Sequence, residues 1–474
     1  MPAELQHSAL FEEVVKIANS PGSPYQKVTT IIHAGGKDII PLKSVRWDIE
    51  RDYTGSWSDA ASVTVYMGAG DLMVDITPFQ DDLRITMLSS PVSEFGYEDT
   101  SVAVNAMTFK AYLGDDTDTT AEVGNDISLQ DKETANRTSI RAVNFVLEEP
   151  AVAQFRRQST GTIAEVSPPY MVLETLLNRC CQALTLDQAD KILNVDMVPA
   201  SNQEPREIMI IPDNTPLPEL PDYIQNKEGG IYSTGLGFYI QNRIVYLWPV
   251  YDITRYDQAA RVIQVFMAPN KNSQLIDHTW KDQERTLKIY TAGIVKTVDE
   301  SVDRLNNEGG GTRFTMASRL VDAPVQVGGN KMVADRSKNN SEYAAAVLGD
   351  GQAMLRSSST RVTDNVCLEA SKLAKRSSVN LIVTWLRSEP TKVTPGMPGE
   401  IIYDYNGDIR TIPAVLKHAL HSYEFEGLGP TGDRFRSKSV LTFSVDRNSP
   451  EYQLYVKAGG EATPMPDYQN IIVE

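Results

Sequence analysis

Cysteine is scarce in this sequence. The chain of 474 residues contains only Cys180, Cys181 and Cys367. Neighbouring cysteines rarely bridge, and three are too few for a disulfide framework or a cysteine-based metal site. This usage is typical of a protein made in a reducing cytoplasm.

Long apolar runs are absent as well. No stretch of about 18 apolar residues, the length that a membrane-spanning helix needs, occurs in the sequence. The first 20 residues, MPAELQHSALFEEVVKIANS, have the pattern of an amphipathic helix rather than of a signal peptide. We therefore expect no membrane segment and no secretion by that route.

Motifs that carry chemistry are also lacking. Gly235-x-Gly237 has Ile240 at the third glycine position of a dinucleotide loop and leads into a strand instead of a helix. His418 and His421 stand three residues apart, but no third ligand stands at a supporting spacing. These patterns favour turn glycines and ordinary histidines.

Acidic residues offer pairs and clusters, but none in a recognisable site. The segment that holds Asp115, Asp116, Asp118, Glu122 and Asp126 lacks the glycine and terminal glutamate of a calcium loop. Asp404 and Asp408 resemble a glycosidase pair, yet a chain with 62 acids offers such pairs by chance. We predict a non-enzymatic protein without catalytic residues, metal ligands or cofactors.

Basic residues are outnumbered. The 45 lysines and arginines against 62 aspartates and glutamates give a formal charge of −17. This balance argues against a broad surface that holds nucleic acid by its phosphates. It is compatible with DNA that passes nearby, because a negative wall repels DNA without trapping it.

The length and the strand pattern predict a mainly β fold of several domains. A prior of about 150 residues per domain suggests about three. Short strands with regular turn signals favour β-barrels or sandwiches, with a small α+β module between two of them. The predicted domains are a first β-barrel with an N-terminal helix (1–160), the α+β module (161–260) and a second β-barrel with a C-terminal tail (261–474).

Local patterns also predict individual elements. Alternation predicts a strand over 72–77, and composition predicts an exposed loop over 115–139 that orders only with a partner. Helical patterns cover 170–184, 342–348 and 363–376.

The stretch from Gly229 to Tyr256 is the most informative. Two apolar runs flank Gln241-Asn242, which predicts a hairpin with Phe238 opposite Val245 and Tyr239 opposite Ile244. Both faces are apolar, so we predict that both are covered, by this chain or by another subunit. The candidate packing or interface residues are Phe238, Tyr239, Tyr246, Trp248 and Tyr251.

The same stretch carries a family resemblance. Residues 230–232, 235–239 and 243–252, GIY, GLGFY and RIVYLWPVYD, resemble the turn and aromatic hairpin of central hub proteins in the baseplates of contractile-tailed bacteriophages. The segment 395–400, PGMPGE, is similar to the entry into these proteins' second barrel.

The resemblance implies a structural virion protein of the tail baseplate, made in the host cytoplasm. It implies a homotrimer with two tube-like barrels per subunit, which joins the tail tube protein to the central spike and contacts other baseplate proteins. DNA would pass through its channel without specific binding. Two alternatives remain open: a receptor- or carbohydrate-binding virion protein built of β-sandwiches, and a cell-wall hydrolase.

Overall fold

Strands make up most of this computed structural model, as the sequence predicts. The structure describes residues 9–19, 25–92, 104–114, 140–183, 191–268, 279–291, 294–298, 313–318, 324–325, 342–347, 353–357, 366–405, 408–429 and 432–457. The predicted loop over 115–139 and the C-terminal tail from residue 459 lie outside these residues.

The first part of the chain contains helix α1 (Ala9–Ala18) and helix α2 (Ala69–Asp71). Its strands are β1 (Tyr25–Ala34), β2 (Lys37–Ile39), β3 (Lys43–Asp52), β4 (Ala60–Gly68), β5 (Arg84–Val92), β6 (Asn105–Leu113) and β7 (Ile140–Glu148). The middle part contains helices α3 (Pro150–Phe155), α4 (Pro169–Ala183) and α5 (Leu220–Lys227). Its strands are β8 (Ser159–Ser167), β9 (Asn194–Met197), β10 (Arg206–Pro216), β11 (Leu236–Gln241) and β12 (Ile244–Pro249).

The last part contains helices α6 (Val366–Ser377) and α7 (Pro450–Lys457). Its strands are β13 (Val262–Met267), β14 (Trp280–Asp282), β15 (Thr286–Thr291), β16 (Ile294–Val298), β17 (Arg313–Ser318), β18 (Pro324–Val325), β19 (Glu342–Val347), β20 (Ala353–Ser357), β21 (Ser378–Leu386), β22 (Pro398–Tyr405), β23 (Asp408–Gly429) and β24 (Gly432–Asp446). Short 3₁₀ turns occupy Leu217–Glu219, Arg255–Asp257 and Pro390–Lys392.

The first barrel closes on itself. Hydrogen-bonded pairs lead from β3 through β4, β7, β6, β5, β1, β24 and β23 back to β3. Its alternate residues fill one core, which includes Trp47, Phe109, Phe145, Tyr423 and Phe435. Closure removes the sheet edges that would otherwise pair with other chains.

The same sheet continues into a second, barrel-like unit, in the order β14–β15–β13–β22–β23–β24–β21–β16. Side chains connect β14 and β15 to β21, because Thr291 Oγ1 donates to the Thr384 carbonyl at 3.0 Å and the rings of Trp280 and Trp385 lie 6.3 Å apart. A separate buried core fills this unit. Its members include Val265, Ile289, Trp385, Tyr403 and Phe443.

The two barrels share strands β23 and β24. Strand β23 pairs with β22 through Val415 and with β3 from His418 onward. Between these two stretches its register against β24 shifts from Leu416 to His418, so that Lys417 is an extra residue. Because a β-bulge bends and twists a strand, this position is where β23 leaves one barrel and enters the other.

The α+β part between the barrels has its own core. Strands β8 and β10 pair with each other, and β11, β12 and β9 form a three-stranded sheet in which β12 and β9 are parallel. Helices α4 and α5 pack on these strands through residues that include Leu173, Leu177, Leu220 and Ile224. The domain limits near residues 160 and 260 stay predictions.

Two predicted elements are wrong. Residues 72–77 are not a strand: Leu72–Ile76 is a π-helix and Thr77–Asp82 a 3₁₀ helix. Leu72 and Ile76 are both buried in the first core, since residues four apart share a helical face. Residues 342–347 form strand β19 between β17 and β20 rather than a helix, so pairing overrides the helix propensity of their alanines.

The shared strands generate a prediction about cooperativity. Phe435 lies in the first core and Phe443 in the second, on the same strand β24. We expect Phe435→Ala and Phe443→Ala each to destabilise the protein by about 3–5 kcal/mol, as truncations of buried phenylalanines do. Because β24 serves both barrels, either variant should lower amide exchange protection in β4 and in β13.

The exposed Lys438 on the same strand gives a control, Lys438→Ala, which should leave stability and protection unchanged. Loss of protection in one barrel alone would contradict coupling through the shared strands.

Candidate functional site: the junction of hairpin and barrels

The aromatic hairpin consists of β11 and β12, and its turn lies one residue later than predicted. Asn242 and Arg243 form the turn, with φ angles of 52° and 65°. Phe238 lies opposite Leu247 and Tyr239 opposite Tyr246, so the predicted pairs with Val245 and Ile244 are wrong. Positive φ at both central residues is the geometry of a type I′ turn, and Asn242 tolerates its first position.

The two faces of the hairpin meet two different cores. Phe238 packs in the core of the α+β part, where its ring lies 5.9 Å from that of Phe155. Tyr239 and Trp248 lie in the core of the second barrel, and the partly buried Tyr246 packs against it. Both faces are therefore covered by this chain. A role of these residues in contacts between subunits stays a prediction.

Trp248 fits between two glycines. A side chain at Gly237 or at Gly396 would collide with its indole ring, and Gly396 also has a φ of 60° that favours glycine. The ring of Tyr53, from the end of the first barrel's strand β3, meets Trp248 edge-on at 6.3 Å. Tyr251 is partly buried, with the Lys417 ammonium 5.8 Å from its ring centre.

A buried arginine connects the surrounding segments. Arg51 Nε donates to both carboxylate oxygens of Asp59 at 3.2 Å, and its Nη1 donates to the Pro390 carbonyl at 2.7 Å. Arg51 is fully buried and Asp59 is 7% exposed. Burial opposes the charge of the guanidinium, but the Asp59 carboxylate raises the pKa of Arg51, so it stays protonated.

His421 completes this network as a neutral imidazole. Arg51 Nη1 faces its Nε2 at 3.4 Å, while its Nδ1 bonds the Ser439 hydroxyl at 2.6 Å. Burial and the Arg51 charge hold the pKa of His421 well below its usual value. Serine and histidine are residue types of a nucleophile and its base, but a cation on the far ring nitrogen opposes the imidazolium that catalysis would form. The arrangement serves packing.

The hairpin is tied to the first barrel by polar contacts. Tyr239 donates its hydroxyl to Asp59 Oδ1 at 3.0 Å, and the Ile240 amide donates to the Trp57 carbonyl at 2.7 Å. At the turn, the Arg243 amide donates to Glu149 Oε1 at 3.2 Å. Burial first, and then the Asp59 charge, raise the pKa of Glu149 to about 7.

Sequence reasoning missed Arg51, Asp59 and Glu149, and it considered His421 only as a possible metal ligand or an ordinary histidine. The alternating pattern of β3 could have identified one of them. Arg51 follows the buried Trp47 and Ile49 at the same two-residue spacing, so its side chain faces the same way. A charge at an inward position requires a buried partner. The partners come from distant segments, which the sequence does not reveal.

The two histidines considered as metal ligands do not act together. His418 pairs with Glu50 at 3.0 Å, whereas His421 is buried three residues further along β23, on the other face of the strand. Among the residues that the structure describes, no group of three histidines, cysteines or acids is arranged to hold a metal ion. In the same part of the chain, no helix is long and apolar enough to cross a membrane.

A groove of about 680 Å³ lies beside the junction on the first barrel. Trp57, Tyr112, Val146, Glu148 and Arg156 line it. Arg156 donates to Glu148 at 2.5 Å, and its guanidinium lies 6.0 Å from the centre of the Trp57 ring. The groove thus combines aromatic surface with an ion pair at its wall.

The solved structures that are similar to this chain include three that each cover 88% or more of it. The tail protein from Neisseria meningitidis MC58 is 12% identical, with 88% of this chain and 97% of that chain covered and a TM-score of 0.42. The prophage MuSo2 tail protein from Shewanella oneidensis is 10% identical, with coverages of 89% and 99% and a TM-score of 0.42. A chain of the Francisella PdpA–VgrG complex is 9% identical, with coverages of 97% and 62% and the same TM-score.

Two of these structures are described as tail proteins. No protein-family model and no curated protein matches the sequence.

The position of Trp248 generates a stability prediction. We expect Trp248→Ala to lower the free energy of unfolding by about 3 kcal/mol, because the cavity between Gly237 and Gly396 cannot close fully. Urea denaturation measures this loss. Tyr405→Ala, at an exposed aromatic on β22, is the matched control and should change stability little. An unchanged midpoint for Trp248→Ala would show that the indole does not hold the junction together.

Proposed function

We propose that this protein is the central hub of a contractile phage tail, a homotrimer that joins the tail tube to the central spike. The observation that carries the proposal is the pair of barrels in one chain, built on the shared strands β23 and β24. Three such chains bring six barrels to one ring, the number that a sixfold tube requires. Closed cyclic symmetry is the usual way for identical chains to avoid open polymers.

The resemblance of the hairpin segment to baseplate hubs supports the same proposal. In this assembly, the first barrel of one subunit meets the second barrel of the next. The formal charge of −17 suits this role, because an acidic channel lets DNA pass without binding it.

The groove on the first barrel favours one alternative, a virion protein that binds carbohydrate. Tyr112 is 39% exposed there beside Trp57, and aromatic rings next to polar groups suit sugar faces. This alternative predicts binding to glycans or cells and requires no ring.

Assembly distinguishes the two functions. Light scattering of the purified protein in complex with its spike protein gives the total mass. After the mass of the spike is subtracted, about three times the 52.5 kDa chain mass should remain. The spike is included because subunits that assemble only on a partner stay apart without it. A stable dimer, or a monomer that persists with the spike, would contradict the hub proposal.

A further inference from the structure

Glu149 lies where the first barrel, the α+β part and the hairpin meet. It follows strand β7 directly and precedes helix α3. Its carboxyl oxygen accepts the Arg243 amide of the hairpin turn at 3.2 Å. This contact, together with those of Ile240 and Tyr239 to the segment 57–59, docks the hairpin on the first barrel.

The two arginines near Glu149 donate their side-chain hydrogen bonds to other groups. Asp59 and Arg51 face it from the first barrel, and Arg243 and Tyr246 from the hairpin. Arg51 already directs its Nε to Asp59 and its Nη1 to Pro390 and His421. The Arg243 guanidinium donates to the Lys191 carbonyl at 3.0 Å. An ionised Glu149 would thus be a second carboxylate beside Asp59, with a backbone amide as its hydrogen-bond donor.

We propose that docking of the hairpin on the first barrel takes up one proton, held by Glu149, and that loss of this proton loosens the dock. Such docking is a property of the fold of one chain and is independent of the hub assignment. The junction is then sensitive to pH near neutrality.

Linkage fixes the direction of the pH dependence. The pKa of Glu149 rises from an ordinary value of 4.5 to about 7 on folding, so its contribution to stability is present below 4.5 and lost as pH rises through about 7. His421 acts in the opposite direction, because its pKa is lowered on folding from 6.5. Its contribution is present above 6.5 and lost as pH falls. Near pH 5.5, about midway between the two ordinary values, Glu149 releases a proton on unfolding and His421 takes one up.

Proton counting tests the proposal. Calorimetric unfolding near pH 5.5 in buffers of different ionisation enthalpy gives the protons released. We expect Glu149→Gln to release about one proton fewer than the wild type. The control is Glu148→Gln, which removes the neighbouring carboxylate that pairs with Arg156 and should release the same number of protons as the wild type. Equal release by the wild type and Glu149→Gln would overturn the proposal.

Amide exchange provides a second measurement that does not require unfolding. In the wild type, protection of the Ile240 and Arg243 amides, corrected for intrinsic rates, should fall as pH rises through 7. In Glu149→Gln, whose amide oxygen still accepts from Arg243, protection should stay constant. Protection independent of pH in the wild type would also overturn the proposal.

Discussion

The buried charge of Arg51 is the constraint on which the junction depends. A buried cation is costly unless its donors are satisfied, and Arg51 finds acceptors on Asp59, Pro390 and His421. These residues come from the segment before β4, the turn after β21 and the shared strand β23. All three segments must therefore be in place together, which favours one arrangement of hairpin and barrels over looser ones.

The bulge at Lys417 provides the second constraint. It lets β23 pass from one barrel to the other without breaking its pairing with β24. The Lys417 carbonyl accepts the Tyr53 amide at 3.1 Å, and Tyr53 in turn contacts Trp248 and Tyr239. The bulge, the buried arginine and the aromatic hairpin are thus neighbours in one junction.

Local patterns in the sequence predicted the mainly β fold, the hairpin and its two apolar faces. They failed where spatial context decides: Leu72 and Ile76 fit a strand or a helix equally well by their apolar character, and the barrel core selects the helix. The predicted register of the hairpin failed for a similar reason. Moving the turn by one residue, from Gln241-Asn242 to Asn242-Arg243, changes the partner of every residue in the two strands. Arg51 bonds residues 339 and 370 positions away, and no local pattern encodes such contacts.

The paired barrels are proposed to form a ring around a channel, and electron microscopy of the protein assembled with its spike tests this claim most directly. Averaged views down the axis should show six barrel-sized densities. They should form three pairs, one pair per subunit, related by threefold symmetry. They should surround an opening wide enough for a DNA duplex of about 20 Å. A closed centre, or a ring with twofold symmetry, would contradict the account.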